Sequence, residues 1–331
     1  MIEVRGISKQ YGNKTAIEDV TFTVENGQIL GLLGRNGAGK STTMNIVTGY
    51  ISSDCGDVNI DGFDILKQPE QARSRLGYLP EIPPVYPEMT VTEYLKFACK
   101  LMRVPKKEMN SQVDEILNKV GLDNVANRLI GNLSKGYRQR VGLAKALCGN
   151  PDTIILDEPT VGLDPKQIVE IRQTIKELGK DHTVIISSHL LSEISDICTH
   201  VVILHNGKIV ANDSLEHLVK DANDTNLVTI EVKGENAEKL GERLVQIQGV
   251  DDVSLRNLGE GVVRYEMSTK EAYFLRERLF DAAVGLGLKV LELKSGELTL
   301  EDVFIKLTEQ REEREIQLAA GAKRESEEKK S

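Results

Sequence analysis

The chain has 331 residues, of which 40% are hydrophobic and 28% charged, and its formal net charge at pH 7 is −9. These values predict a globular protein with one or two cores, and the acidic balance argues against nucleic acid as a partner. No apolar stretch reaches the roughly 18 residues of a membrane span, and the N-terminus lacks the pattern of a signal peptide, so a cytoplasmic location is expected.

The first predicted elements, in residues 1–65, are strands. Residues 2–5 and 20–24 alternate polar and apolar side chains as half-buried strands do, and residues 57–61 show the same pattern. The run 28–33 is apolar and has the length of a buried strand, and residues 41–47 can form a helix. This region therefore predicts a β-rich part with a strand–loop–helix unit inside it.

The loop of that unit fits G-x-x-x-x-G-K-[S/T], the pattern of a phosphate-binding loop (P-loop). Its residues are Gly34, Arg35, Asn36, Gly37, Ala38, Gly39, Lys40, Ser41 and Thr42. The glycines let backbone N–H groups converge on an anion, and the helix start adds positive charge. Lys40 is expected to reach the β- and γ-phosphates, and Ser41 to hold Mg²⁺. The alternative interpretation is an incidental glycine-rich turn.

Residues 90–150 predict helices. Thr90 and Glu93 form a capping-box pattern at the start of a helix that runs toward residue 102. Residues 111–120 carry apolar side chains at helical spacing, and residues 134–148 predict a third helix. A helical insertion therefore interrupts the strand–helix alternation.

Asp157 and Glu158 follow an apolar run at 153–156, which has the pattern of a parallel strand buried on both faces. A second such run lies at 183–186, and residues 168–178 between the two predict a helix. Successive side chains of a strand point in opposite directions, so the two acids can take two roles. Asp157 is the expected Mg²⁺ ligand, and Glu158 the expected general base that polarises water. The alternative is an acidic cap of a following helix.

The pattern changes again near residue 222. After it, the sequence predicts strand, helix, strand, strand, helix and strand, which is the ferredoxin-like order. These elements are expected at 227–232, 237–247, 253–257, 262–267, 270–286 and 289–294. Thr299 predicts the cap of a closing helix at 300–307, and the charged segment beyond residue 309 predicts a frayed helix and a disordered tail.

One motif before Asp157 indicates the family. Residues 133–140 read Leu-Ser-Lys-Gly-Tyr-Arg-Gln-Arg and resemble the LSGGQ signature of ATP-binding-cassette (ABC) proteins. Lys135 replaces the first of two glycines and Tyr137 replaces the glutamine. Ser134 can still cap the helix and Gly136 still permits close approach, so the helix start remains an anion site. The resemblance, which covers roughly residues 1–220, implies that Ser134 and Gly136 face the γ-phosphate bound by a second subunit.

Further positions match the pattern of the family. The resemblance implies that Tyr11 stacks on adenine, that Asp164 lies across the dimer interface and that His189 contacts the γ-phosphate. A hairpin tyrosine and a structural histidine are the alternatives. Glu81 stands in the Q-loop, where most members have glutamine, and its oxygens can ligate Mg²⁺. Glutamate here and the stretch Leu-Glu-Asp-Val-Phe at 300–304 make the chain similar to ATPase subunits of drug-exporter-like and gliding-motility-like ABC systems.

The resemblance implies an α/β fold in two parts. The first is a P-loop NTPase cassette with a parallel core sheet, an antiparallel β subdomain and a helical insertion. The second, which the element order after residue 222 predicts, is a small α+β ferredoxin-like domain. We expect the cassette at 1–222, with its helical subdomain at about 85–150, the second domain at 223–310 and a charged, disordered tail at 311–331. The second domain is expected to stabilise the dimer or to regulate it, and the alternative is that it only braces the cassette.

The resemblance also implies a function. ATP, with Mg²⁺ as cofactor, closes two chains head to tail, and hydrolysis proceeds with Glu158, His189 and Lys40 as catalytic groups. The partners are an integral-membrane permease, expected to be an exporter, and a second copy of the chain or a paralogous ATPase subunit, with no nucleic acid. The permease would hold the protein on the cytoplasmic face of the membrane. Contact is expected at 82–104, unless that segment only crosses between subdomains.

Other classes of protein fit part of the sequence. Soluble ABC ATPases of translation usually carry two cassettes in one chain, and those of DNA repair split the cassette with a long heptad-repeat arm. The sequence predicts one cassette and no such arm. In a P-loop kinase, the signature motif and His189 would have no role. A transporter ATPase is therefore the favoured hypothesis.

Overall fold

A computed structural model describes residues 1–190, 195–218, 226–250, 252–269 and 272–297. The chain divides into two compact units, one that extends to Leu215 and one that begins at Glu216. The expected boundary at residue 222, the closing helix at 300–307 and the tail at 311–331 lie outside the described residues and stay predictions. Across the described part of the chain, every helix is too short or too polar to span a bilayer.

The first unit contains two sheets and a set of helices. In chain order its elements are β1 (Ile2–Tyr11), β2 (Lys14–Val24), β3 (Ile29–Leu33), α1 (Lys40–Val47), β4 (Cys55–Ile60), β5 (Phe63–Asp64), α2 (Pro69–Arg73), β6 (Leu76–Leu79), α3 (Val91–Leu101), α4 (Lys106–Lys119), α5 (Lys135–Leu147), β7 (Thr153–Leu156), α6 (Pro165–Leu178), β8 (Thr183–Ser188), β9 (His200–His205) and β10 (Lys208–Ser214).

The core sheet has the strand order β10–β9–β3–β8–β7–β6. All neighbours in it are parallel except β10, which pairs antiparallel with β9. Every residue of β3, β7 and β8 is buried, which explains the continuous apolar runs of the sequence. The carboxyl ends of the parallel strands lie at one edge of the sheet, and ligands of open α/β sheets bind at this edge.

The second sheet, of order β2–β1–β4–β5, is antiparallel. It buries apolar side chains such as Ile7 and Val20 in one cluster with Leu32 and Val202 of the core sheet. β1 and β2 are much longer than the predicted strands at 2–5 and 20–24. Register shifts interrupt their pairing after Val4, and such irregularities break the alternation on which the prediction depended.

The helical insertion begins with a complete capping box at α3. The Thr90 hydroxyl accepts a hydrogen bond from Glu93 N at 3.3 Å, and the Glu93 carboxylate accepts one from Thr90 N at 2.9 Å. α4 begins at Lys106 rather than at residue 111, directly after Pro105. Proline suits the start of a helix because its missing N–H would have no partner in the helix.

The second unit contains β11 (Asn226–Lys233), α7 (Leu240–Leu244), β12 (Asp252–Gly259), β13 (Val262–Thr269), α8 (Ala272–Val284) and β14 (Lys289–Glu297). Its antiparallel sheet has the order β12–β13–β11–β14, and the chain order of strands and helices is the predicted ferredoxin-like one. Tyr265 is fully buried, and its hydroxyl donates to the carbonyl of Ala237 at 2.8 Å. This bond holds the turn before α7 against the sheet.

Candidate functional site

A cleft of about 570 Å³ lies at the carboxyl edge of the core sheet, and its volume falls within the range of small-molecule pockets. The loops that follow four neighbouring strands reach it: β3 leads to Lys40, β8 to His189, β7 to Glu158 and β6 to Glu81. The lining residues are Tyr11, Lys14, Ala16, Asn36, Gly37, Gly39, Lys40, Ser41, Thr42, Glu81, Glu158, Val161 and His189. The structure thus places most of the predicted cis residues in one site.

The P-loop has the backbone that its glycines predict. Gly37 has φ 84° and Gly39 has φ 107°, values in the left-handed region that favours glycine. A Cβ atom on Gly39 would lie 2.6 Å from the Ile17 side chain, and one on Gly34 would lie 2.5 Å from the carbonyl oxygen of Leu204. α1 begins directly after Gly39, so the loop leads into a helix N-terminus as an anion site requires.

Lys40, Glu158 and His189 form one chain of contacts. Lys40 Nζ donates to the carbonyl of Gly34 at 2.7 Å and lies 3.3 Å from Glu158 Oε1. His189 Nδ1 lies 2.8 Å from Glu158 Oε2. Lys40 and Glu158 are buried, and ion pairs in such a setting are screened much less by solvent than exposed ones. The three residues predicted to be catalytic are therefore neighbours.

Asp157 is buried beside this chain of contacts. The Ser187 hydroxyl donates to Asp157 Oδ1 at 2.6 Å. Burial raises the pKa of Asp157 above its usual range, the bond from Ser187 lowers that pKa, the charges of Glu158 and Glu81 raise it, and Lys40 lowers it. Asp157 therefore lies close enough to Glu158 and Glu81 for their charges to raise its pKa, and a bound cation would favour its charged form.

Mg²⁺ fits this set of donors. The hydroxyl of Ser41 and the carboxylates of Asp157 and Glu81 offer the hard oxygen atoms that Mg²⁺ prefers. Within the described ranges, no three His, Cys, Asp or Glu side chains form a metal-binding cluster of their own. In the usual mode of Mg²⁺ binding, one or two carboxylates share the ion with substrate phosphates.

The residues expected to act in trans lie outside the cleft. Ser134 caps α5, with its hydroxyl accepting from Tyr137 N at 3.4 Å, and Asp164 caps α6 by accepting from Gln167 N at 2.9 Å. Gly136 faces the side chain of Gln167 so closely that a Cβ atom would clash with it. The starts of α5 and α6 therefore contact each other, and Ser134, Gly136 and Asp164 do not line the cleft.

Some site residues were not found from the sequence. Lys14, Ala16 and Val161 line the cleft, and Ser187 bonds to Asp157. Lys14 could have been found from its place in the same hairpin as Tyr11. Ser187 could not, since its contact depends on which strands are neighbours in the sheet.

Comparison with known proteins decides the family. A family model described as "ABC transporter" matches residues 17–161. The bacitracin transport ATP-binding protein BcrA of Bacillus licheniformis is 35% identical over 309 residues, which cover 93% of this chain and 97% of that protein. The chain belongs to the ABC transporter ATP-binding proteins. The linearmycin resistance ATP-binding protein LnrL of Bacillus subtilis (strain 168) is 30% identical over 309 residues, covering 93% and 98% of the two chains.

Solved structures agree with this family. The structure of an ATP-binding subunit of an ABC transporter aligns with a TM-score of 0.61 and 32% identity, covering 67% of this chain and 92% of that chain. A dimeric structure of the cassette MJ0796 bound to ADP and Pi aligns with a TM-score of 0.60 and 25% identity, covering 65% and 99%. This ABC protein is thus an ATPase that binds ATP and powers a membrane transporter. The translation and repair alternatives are not favoured.

Proposed function

We propose that this ABC ATPase drives an exporter, and that two chains close head to tail over ATP bound in the cleft. The observation that carries the proposal is a separation within one chain. Lys40, Glu158 and His189 line the cleft, whereas Ser134 and the start of α5 lie outside it. A second chain can supply that missing helix start. One relative is named for Nod factor export, and two others are named for bacitracin transport and linearmycin resistance. These names support an exporter.

The groups around the cleft take different roles in ATP binding and hydrolysis. Lys40, which contacts Glu158 in the structure, binds the β- and γ-phosphates. Ser41, Asp157 and Glu81 hold Mg²⁺, which when bound neutralises charge on the phosphates. Glu158 accepts a proton from the attacking water, and His189 holds the Glu158 carboxylate through the 2.8 Å contact and reaches the γ-phosphate.

The start of α5 suits the trans role. Its first turn contains no acidic side chain, and Ser134 uses its hydroxyl to cap the turn. Backbone N–H groups at a capped helix start, together with the helix dipole, attract an anion. Asp164 lies at the start of α6 beside this turn and would meet the partner chain with it. A phosphoryl-transfer site completed in trans can gain about 10³–10⁵ in rate, by analogy with arginine fingers.

Tyr11 lies in the hairpin between β1 and β2 and is 51% exposed at the rim of the cleft, where it can stack on adenine. We expect Tyr11→Ala to weaken ATP binding about tenfold, since a base–aromatic stack contributes about 1–3 kcal/mol, whereas Tyr11→Phe keeps the affinity. Equilibrium titration with a fluorescent ATP analogue measures both. Tyr50→Ala is the control, because Tyr50 is 79% exposed and does not line the cleft. Unchanged affinity in Tyr11→Ala would contradict the stacking role.

The permease contact is proposed at residues 82–104. Ile82 is 83% exposed and Leu101 is 66% exposed, and exposed apolar side chains of this size often mark interaction surfaces. Photo-crosslinkers at these two positions should yield products with a co-expressed permease, and one at exposed Lys180, which precedes β8, should not. Consistent absence of products from Ile82 and Leu101, or equal yield from Lys180, would refute this contact.

A further inference from the structure

Ser187 occupies a central place in the site. β8 lies between β3, which leads to the P-loop, and β7, which leads to the two acids. β7 and β8 are parallel and pair Leu156 with Ile186, so the next residues along the two strands, Asp157 and Ser187, come to lie side by side. Ser187 has no solvent exposure, so its hydroxyl must find its hydrogen-bond partners within the protein.

The hydroxyl of Ser187 makes two bonds, and their directions are fixed. It donates its one proton to Asp157 Oδ1 at 2.6 Å, and it accepts a hydrogen bond from Glu158 N at 2.8 Å. A hydroxyl has one proton and two lone pairs, so both bonds can form at once. The first bond fixes one oxygen of Asp157 and leaves the other for a further ligand. The second holds the backbone of Glu158.

That backbone needs support. Glu158 has φ 46°, in the left-handed region that non-glycine residues rarely adopt. With this backbone conformation, the side chain of Glu158 contacts both Lys40 and His189. A strained backbone persists only where its surroundings hold it, and the bond from Glu158 N to Ser187 is one such support.

We propose that Ser187 is a positioning residue for ATP hydrolysis, whose one hydroxyl fixes Asp157 and Glu158 relative to each other. The inference rests on the roles proposed above for those two acids. Ser187 acts through them, as partners behind metal ligands and catalytic groups do. An ordinary core serine would affect stability alone, whereas a positioning residue affects turnover and the use of the metal.

The test compares Ser187→Ala with Ser187→Thr, which keeps the hydroxyl, and Ser187→Cys, which keeps the volume with a weaker donor. We expect Ser187→Ala to lower kcat about 10–100-fold and to raise the half-saturating Mg²⁺ concentration by a similar factor. Binding of a fluorescent ATP analogue in EDTA should remain unchanged, because Ser187 does not line the cleft. Ser187→Thr should recover most of kcat, and Ser187→Cys should fall in between.

Thr153→Val is the matched control. It removes a hydroxyl at the other end of β7 that is fully buried and has no hydrogen-bond partner among the described residues. We expect kcat and the Mg²⁺ dependence to stay at wild-type values. A wild-type kcat in Ser187→Ala, an equal loss in Ser187→Thr, or a parallel loss of nucleotide binding in EDTA would overturn the inference. Wild-type hydrolysis in Glu158→Gln would instead refute the proposed base, so the two failures are distinguishable.

Discussion

Glu158→Gln is expected to lower the rate of ATP hydrolysis about 10²–10⁴-fold, the usual contribution of a general base. Glutamine keeps the shape of the side chain but cannot take the proton of the attacking water. ATP should still bind, because the substitution removes the charged oxygen that lies 3.3 Å from Lys40 Nζ. Lys40 can then bind the phosphates without competition from a carboxylate. The variant should therefore accumulate as a closed, ATP-bound dimer. Phosphate release measures hydrolysis, and size-exclusion chromatography with ATP measures dimerisation.

Glu81→Gln serves as the control for this change. It removes a carboxylate from the same cleft but keeps an oxygen that can ligate Mg²⁺, so most of the hydrolysis should remain. If Glu158→Gln hydrolysed ATP at the wild-type rate, Glu158 would not be the base. If it failed to form a dimer with ATP, the order of closure before hydrolysis would be wrong.

Ser134→Asp is expected to lower hydrolysis about 10³–10⁵-fold, the range for loss of a trans group in phosphoryl transfer. Aspartate caps a helix as well as serine does, so α5 should keep its start and the protein its melting temperature. Its carboxylate would however meet the phosphates held by the other chain, and this repulsion should prevent closure. ATPase assays, thermal melting and ATP-dependent dimerisation measure these effects together.

Two further variants separate charge from capping. Thr90→Asp places the same carboxylate at the start of α3, which does not line the cleft, and should leave hydrolysis by the isolated protein unchanged. Ser134→Thr keeps a capping hydroxyl without the charge and should remain active. Normal hydrolysis in Ser134→Asp would show that the start of α5 does not face the phosphates.

Local motifs made the cis site predictable. The P-loop requires glycine at position 39 for two reasons. Gly39 adopts φ 107°, and a Cβ atom there would lie 2.6 Å from the Ile17 side chain. Asp157 and Glu158 end a buried strand, and the edge of a parallel sheet is where such ends meet. The family positions then located Glu81 and His189, and the structure brings both to the cleft.

Long-range pairing set the limit of prediction. Ser187 is 30 residues from Asp157 in the chain, and only the neighbouring positions of β7 and β8 bring the two together. Because register shifts interrupt the alternation of side chains in β1, the sequence pattern likewise showed only part of the first hairpin. In the second unit each strand showed its own alternation, so the element order was predicted. The predicted helix at 237–247 is instead a 3₁₀ turn followed by α7, which ends at Leu244.

The central claim, a site shared by two chains, is tested most directly by mixing two inactive variants. A Lys40→Met chain lacks a working P-loop, and a Ser134→Asp chain lacks a working helix start, so each alone should be inactive. In a mixed dimer, the P-loop of the second chain meets the intact Ser134 of the first. An equal mixture should recover about a quarter of wild-type activity, because half of the dimers are mixed and each holds one intact site. No recovery in an equal mixture that contains mixed dimers would contradict the shared site.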